Sequence, residues 1–267
     1  MPDEQVIIAV GDSLTEGYGL PAAIITCRSW AEWIGRGYGV ATRNAAANGA
    51  TMQEVLAQVR KLPQTRSRFA ATLLGTCDAV AFRRDPDRQT TEAAAVIVGE
   101  LAARAEVVFL ATIPVNIGQT RLWPDSKQMQ RVRAYNAITR ALAAEYDAVL
   151  IDLENVFLDE PHLFGIDGVH LNAIGQLRVA HQGIEALTAR GYPLPDHELP
   201  PEPASFKGRQ MIRLAASLRM LRRRSTVRDG TRGAPDLQNG PARIRLDLRD
   251  ANDTDSVHQR GLRLQKH

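Results

Sequence analysis

The sequence is poor in the residues that build disulfide frameworks and metal centres. Its 267 residues include two cysteines, Cys27 and Cys77, which are too few for a disulfide framework or a cysteine-rich zinc site. The histidines His162 and His181 have no carboxylate or cysteine at ligand spacing. We therefore expect a reducing, cytoplasmic setting, and a protein that uses no metal and no other cofactor.

Long hydrophobic runs are also missing. No stretch approaches the roughly 18 consecutive apolar residues that a membrane-spanning helix requires. Residues 1–5 include two acidic residues and no basic one, so we expect no signal peptide. The apolar share of 44% is nevertheless large enough to build a core in a chain of this length. These features favour a soluble, enzyme-sized domain.

Positive charge is scarce in most of the chain and concentrated at its end. Residues 201–267 carry a net charge of +8, whereas residues 1–200 carry −5. The basic character of the whole chain is therefore a property of its tail. We expect no nucleic-acid partner for the globular part.

The composition divides the chain into three parts. Residues 1–190 predict a globular domain, and residues 191–205, with five prolines, predict an extended connector. In the basic tail, residues 206–267, apolar residues around Leu214 and Leu218 fall at helical spacing among arginines. This pattern predicts an amphipathic helix followed by a mostly disordered end. Such a helix could contact an anionic membrane surface or a partner, or pack back on the domain.

Strand-like runs alternate with helical patterns through the first part of the chain. The five runs, the third counted with its loop, cover residues 6–10, 40–44, 69–78, 106–112 and 147–153. Strands that alternate with helices predict a parallel sheet covered on both faces. We therefore expect an α/β fold, a three-layer α/β/α sandwich whose five strands follow the flavodoxin-like order 2-1-3-4-5.

A serine stands three residues past the end of the first of these runs. Ligands of open parallel sheets bind beyond the carboxyl ends of the strands, so Ser13 stands where a nucleophile would be expected. A serine in this place can equally be a turn or helix-capping residue. The pair Asp167 and His170 favours catalysis, because a carboxylate three residues before a histidine can fix the imidazole tautomer. The other ring nitrogen is then free to accept the proton of a hydroxyl.

These residues resemble a known family of enzymes. The sequence Gly-Asp-Ser-Leu around Ser13 and the spacing Asp167-x-x-His170 are similar to the first and last motif blocks of the SGNH/GDSL hydrolases. The resemblance covers roughly residues 5–190. It is distinct from the α/β-hydrolase elbow, whose second glycine position is held here by Thr15. It implies the three-layer fold and an ester-cleaving triad of Ser13, His170 and Asp167.

The two middle blocks of the family concern the oxyanion hole. Gly49 matches the second block, which implies that its backbone N–H is a donor to the oxyanion. On the residues alone it can equally be a turn glycine with positive φ. The third block matches residues 75–78, Gly-Thr-Cys-Asp, with Cys77 in the place of the family's donor asparagine. Because a thiol donates weakly, a hole formed by Ser13, Gly49 and Cys77 predicts reduced catalytic strength.

A long loop follows the fourth strand-like run. Residues 113–124 contain two prolines and Trp123, and a loop of this length at the carboxyl end of a strand is unusual for packing alone. We expect it to form a wall of the substrate pocket, with Trp123 in contact with the substrate.

The leading hypothesis is a serine hydrolase that acts on a small-molecule ester through an acyl-enzyme. One alternative is a binding protein of the same fold that has lost activity through Cys77. Another is a mononucleotide-binding protein, because Ser13 and Thr15 could cradle a phosphate. This last alternative leaves the pair Asp167 and His170 without a role, and aromatic residues that could stack a flavin amount to only 5%.

Overall fold

A computed structural model of the chain describes residues 4–19, 27–118, 126–158, 160–165, 167–193 and 199–200. Within these residues, five strands form one sheet in which every pairing is parallel. The strands are β1 (Glu4–Gly11), β2 (Ala41–Asn44), β3 (Ser67–Leu73), β4 (Ala105–Ala111) and β5 (Val149–Ile151). Their order, β2-β1-β3-β4-β5, confirms the order predicted from the sequence.

Helices connect the strands. They are α1 (Ser13–Glu16), α2 (Trp30–Gly37), α3 (Met52–Arg60), α4 (Arg88–Arg104), α5 (Ser126–Glu145) and α6 (Ala173–Thr188). A short π-helix covers Cys77–Ala81, and a 3₁₀ turn covers Pro161–Leu163. No helix in the described ranges is both long enough and apolar enough to span a membrane.

The strand order determines which face of the sheet each helix covers. Crossovers between parallel strands are right-handed. The step from β1 to β2 runs in one direction across the sheet, and every later step runs in the other. Helix α2 therefore packs with α6 on one face, while α3 contacts α4 and α4 contacts α5 on the opposite face. This arrangement is the α/β/α sandwich expected from the sequence.

The central strands are buried on both faces, as their unbroken apolar runs require. Ile7, Ile8 and Val10 of β1 are inaccessible to solvent, and the β3 residues that follow Arg68 are buried. On the α2 side, Trp30 and Trp33 also belong to the core. Residues three apart lie on one face of a helix, and this face of α2 packs inward.

The sheet brings the sequence motifs to one edge. Ser13 follows β1, Gly49 follows β2, Cys77 follows β3 and His170 comes after β5. The connection that leaves β1 runs toward one edge of the sheet, and the connection that leaves β3 runs toward the other. The carboxyl ends of β1 and β3 therefore flank the switch point of the sheet. In open α/β sheets this is where ligands bind.

Candidate active site

The nucleophile turn is a sharp connection between β1 and the one-turn helix α1. Asp12 is the N-cap of α1, and its carboxylate accepts the N–H of Leu14 at 3.0 Å. Gly11 has a φ of +145°, and a Cβ at this position would lie 2.6 Å from Oγ1 of Thr15. Glycine is therefore required before Asp12. The result is that Ser13 becomes the first residue of α1, at the carboxyl end of a central strand.

A hydrogen-bonded chain joins the three residues of the predicted triad. Nε2 of His170 lies 3.0 Å from Oγ of Ser13, and Nδ1 of His170 lies 2.7 Å from Oδ2 of Asp167. The other oxygen of Asp167 accepts the backbone N–H groups of Val169 and His170, at 2.9 and 3.0 Å. Residues separated by more than 150 positions in the sequence thus meet in one arrangement. A proton on Nδ1 is held by the carboxylate, which leaves Nε2 as an acceptor toward the serine hydroxyl.

The carboxylate of Asp167 is held in its charged form. Partial burial raises the pKa of Asp167, but the hydrogen bonds from the His170 ring and from the two backbone N–H groups outweigh that effect. The net result is a pKa below the ordinary value of an aspartate. A charged Asp167 is the form that stabilises an imidazolium when His170 takes up a proton.

The loop that carries His170 is braced on both sides. The N–H of Gly165 donates to the carbonyl of His170, and Gly118 donates to the carbonyl of Gly168 at 2.9 Å. Tyr18, just after α1, places its ring edge-on to the imidazole with 4.8 Å between the ring centres. The histidine is consequently fixed by backbone contacts and lies against an aromatic ring, with 14% of its side chain exposed.

The structure shows Gly49 as the turn glycine that one of the two interpretations predicted, and its role as an oxyanion donor stays a prediction. Its φ is +83°, as a turn glycine requires, and it lies just before α3. Burial raises the pKa of the Cys77 thiol, and a hydrogen bond from the backbone of Gly49 partly opposes that effect. The structure thus brings Gly49 and Cys77 together beside the nucleophile turn.

Cys77 is buried, and its thiol is kept protonated. Burial raises the pKa of the Cys77 thiol far above its ordinary value, and the neighbouring carboxylates Asp12, Asp78 and Glu54 raise it further. A neutral thiol is a poor nucleophile and a weak hydrogen-bond donor. The same negative field disfavours an oxyanion beside it, which is a second reason to expect modest catalytic power.

The buried carboxyl of Asp12, the residue before Ser13, has a raised pKa. Burial raises the pKa of Asp12 to about 6, although the hydrogen bond from Leu14 favours its charged form. Asp78, which accepts the N–H of Met52 at 2.8 Å, also has a pKa raised by burial. Asp12 and Asp78 are therefore easier to neutralise than ordinary aspartates, so the negative field beside Cys77 weakens as the pH falls toward 6.

One predicted site residue lies outside the described residues. Trp123, expected as a pocket wall, belongs to the range 119–125 that the structure does not describe, and its role stays a prediction. The structure also adds residues that the sequence did not indicate. The side-chain amides of Asn44, Gln58 and Gln176 all hydrogen-bond backbone groups of the nucleophile turn or of the residue before it.

The fold is an α/β/α sandwich with a hydrogen-bonded Ser-His-Asp chain at one edge of its sheet, and comparison with known proteins identifies the family. The profile of the GDSL-like Lipase/Acylhydrolase family matches residues 9–178, so the chain belongs to that family and is an ester hydrolase.

Among solved structures, the fold is similar to LAE5, an alpha/beta hydrolase enzyme from the metagenome of Lake Arreo, Spain. The TM-score is 0.54 at 15% identity, and the match covers 70% of this chain and 97% of LAE5. It is also similar to Axe2, an acetylxylan esterase from Geobacillus stearothermophilus, with a TM-score of 0.53 at 14% identity over 69% of this chain and 94% of Axe2. A sequence search of curated proteins finds no match.

Proposed function

We propose that the enzyme cleaves carboxylic esters through a covalent acyl-enzyme on Ser13. The observation that carries the proposal is the continuous hydrogen-bonded chain from Ser13 through His170 to Asp167. A hydroxyl within 3.0 Å of an imidazole nitrogen is within the reach that general-base catalysis needs.

The reaction proceeds in two halves. Nε2 of His170 takes the proton of Ser13 while Oγ attacks the acyl carbon, and the imidazolium then protonates the leaving alcohol. In the second half a water molecule gives a proton to the same nitrogen as it attacks the acyl carbon. The bond between the acyl carbon and Oγ then breaks, the imidazolium returns the proton to Ser13, and the acid leaves. Asp167 keeps its charge throughout and stabilises the imidazolium.

The oxyanion of each tetrahedral intermediate requires donors that are already in place. The N–H of Ser13 lies in the first turn of α1, where backbone N–H groups have no acceptor within the helix. The second donor is the N–H of Gly49, a residue that lies beside Cys77. These two backbone groups are the proposed donors, with a minor contribution from the thiol. The alternative of an inactive binding protein rests on the same weak third donor.

The test uses activity and covalent labelling together. We expect hydrolysis of p-nitrophenyl acetate, because the acetylxylan esterase neighbour suggests a small acyl group, and a fluorophosphonate should modify Ser13. The Ser13→Ala variant should lose both properties. Ser126→Ala, which removes an exposed serine at the start of α5, is the matched control and should retain both. Labelling that is unchanged in Ser13→Ala would refute the proposal.

A second prediction concerns the weak donor. Replacing Cys77 with asparagine supplies the amide that the resemblance implies, and we expect kcat to rise about tenfold or more with little change in KM. The gain should appear mainly in kcat because the oxyanion exists only near the transition state. Steady-state kinetics on the acetyl ester measure it.

The control for this prediction is Cys77→Ala, which removes the thiol without adding a donor and should leave kcat nearly unchanged. If a folded Cys77→Asn variant shows an equal or lower kcat, then another group already fills the donor position, with Thr76 and Asn48 as the nearest candidates in the sequence.

The cellular location and the partners of the enzyme are also proposals. Two cysteines in the whole chain favour a cytoplasmic enzyme, and a small-molecule ester is its proposed partner. Contact of residues 206–267 with an anionic membrane surface rests on the composition of that tail, which lies outside the described residues.

A further inference from the structure

The helix that presents Ser13 is too short to satisfy its own backbone. The last four carbonyl groups of any α-helix have no N–H donor within the helix, and α1 has only four residues. The N–H of Tyr18 donates to the carbonyl of Ser13 at 3.0 Å. The carbonyl groups of Leu14, Thr15 and Glu16 must find donors elsewhere.

Side chains from distant elements supply these donors. The backbone carbonyl of Thr15 accepts a hydrogen bond from the hydroxyl of Ser29 at 2.7 Å and another from the side-chain amide of Asn44 at 3.0 Å. Leu14, which directly follows the nucleophile, accepts from Nε2 of Gln176 at 3.1 Å. The orientation of α1, and with it the position of Ser13, therefore depends on side chains outside its own segment of chain.

Gln176 is the donor with the most restricted surroundings. Its side chain is inaccessible to solvent, and its other end, Oε1, accepts the N–H of Trp30 at 2.9 Å. Both ends of the amide are therefore engaged, one with α1 and one with α2. A buried amide with two partners fixes distances that a single contact would leave adjustable.

The same residue belongs to the histidine side of the site. Gln176 lies in the first turn of α6, six positions after His170. The N-cap of this helix, Asn172, accepts two N–H groups of the first turn and donates to the carbonyls of His162 and Phe164. Helix α6 and the His170 loop thus form one braced unit, and Gln176 connects that unit to the turn that carries Ser13.

We propose that Gln176 is a positioning residue that holds Ser13 within proton-transfer distance of His170. The inference rests on the proposed function of these two residues. Their separation of 3.0 Å lies toward the upper part of the range of roughly 2.6–3.2 Å in which a general base can act. Without the amide, the carbonyl of Leu14 would be buried with one donor fewer, and α1 would move to find another.

The experiment compares three variants. Gln176→Met keeps the volume and removes both hydrogen bonds. Gln176→Glu keeps an acceptor for Trp30 and, when assayed at a pH high enough to ionise the buried carboxyl, cannot donate to Leu14. Gln182→Met makes the same change on the same helix at a half-buried position and is the matched control.

For each variant we would measure the rate of fluorophosphonate labelling of Ser13, kcat and KM for p-nitrophenyl acetate, and the thermal unfolding midpoint. Misplacement by about 1 Å can cost on the order of 10²-fold, so both Gln176 variants should label and turn over about 10- to 100-fold more slowly with KM little changed. Their labelling rates should also depend less on pH than that of the wild type, because His170 no longer assists. Gln182→Met should match the wild type.

Two results would overturn the inference. One is labelling at the wild-type rate in a folded Gln176 variant. The other is a loss of labelling and turnover that matches the unfolded fraction of the variant, which would show a purely structural role. If Gln176→Met is unstable, Gln176→Glu serves for this comparison, because it retains the hydrogen bond to Trp30. Failure of the proposed function is recognised separately, since the wild-type enzyme would then show no labelling of Ser13.

Discussion

His170→Ala is expected to lower kcat for ester hydrolysis by about 10⁴- to 10⁶-fold, and Ser13→Ala by a similar factor. The two side chains perform one step, because the hydroxyl becomes nucleophilic only as the imidazole removes its proton. Their effects should therefore not add: the double variant is expected to be about as active as either single variant. Activity that remains would come from the backbone donors near Gly49 and from substrate binding.

The control for this prediction is another histidine. His181 lies on α6 with Nε2 at 3.1 Å from the carbonyl of Pro200, away from Ser13, and His181→Ala should keep wild-type kinetics. Thermal unfolding should show that all variants are folded. A His170→Ala enzyme that retained more than about 1% of kcat would show that another base serves Ser13, since loss of a true general base in a triad costs far more.

The fold was accessible from the sequence because its signals are local. Every strand except β2, which is Ala-Thr-Arg-Asn, is a mainly apolar run a few residues long, and the connecting helices have their own spacing or caps. Ser29 and Asn172 cap α2 and α6, and serine and asparagine are residue types that favour the position before a helix. Once alternating strands and helices are recognised, the handedness of crossovers leaves few strand orders to consider.

The positions of Ser13, Gly49, Cys77 and His170 at one sheet edge follow from that topology, because each comes after a strand. The role of Gly49 did not follow, since positive φ and an outward N–H are compatible and the sequence cannot separate them. The structure shows the positive φ, and the role of the N–H as an oxyanion donor stays a prediction.

The supporting amides could not be predicted, for a physical reason. Gln176 contacts Leu14 across 162 positions and Gln58 contacts Gly11 across 47, and neither glutamine stands in a pattern that marks it. Gln58 both donates to and accepts from the backbone of Gly11, at 3.0 and 2.9 Å, where β1 extends past the last residue of β2. Such contacts depend on packing distances between elements, which periodicity does not encode.

The remaining triad residue offers a sharper test than simple removal. Asp167→Asn should lower kcat by about 10⁴-fold without disturbing the fold, because it changes which nitrogen of His170 carries the proton. One oxygen of Asp167 accepts two backbone N–H groups, at 2.9 and 3.0 Å, so the amide NH₂ cannot occupy that side. It must face Nδ1 of His170, which then has to accept. The proton moves to Nε2, and the nitrogen that faces Ser13 becomes a donor.

The comparison with Asp167→Ala separates this tautomer effect from lost packing. Alanine leaves the N–H groups of Val169 and His170 without the carboxylate acceptor, so that variant should unfold at a lower temperature than Asp167→Asn. It imposes no tautomer, however, and should be at least as active. Nitrogen-15 chemical shifts of the imidazole report the tautomer directly, and Asp147→Asn, at a side chain that is 97% exposed, is the control. An Asp167→Asn enzyme that is more active than Asp167→Ala, or that keeps the proton on Nδ1, would contradict the assignment of Asp167 as the residue that orients the base.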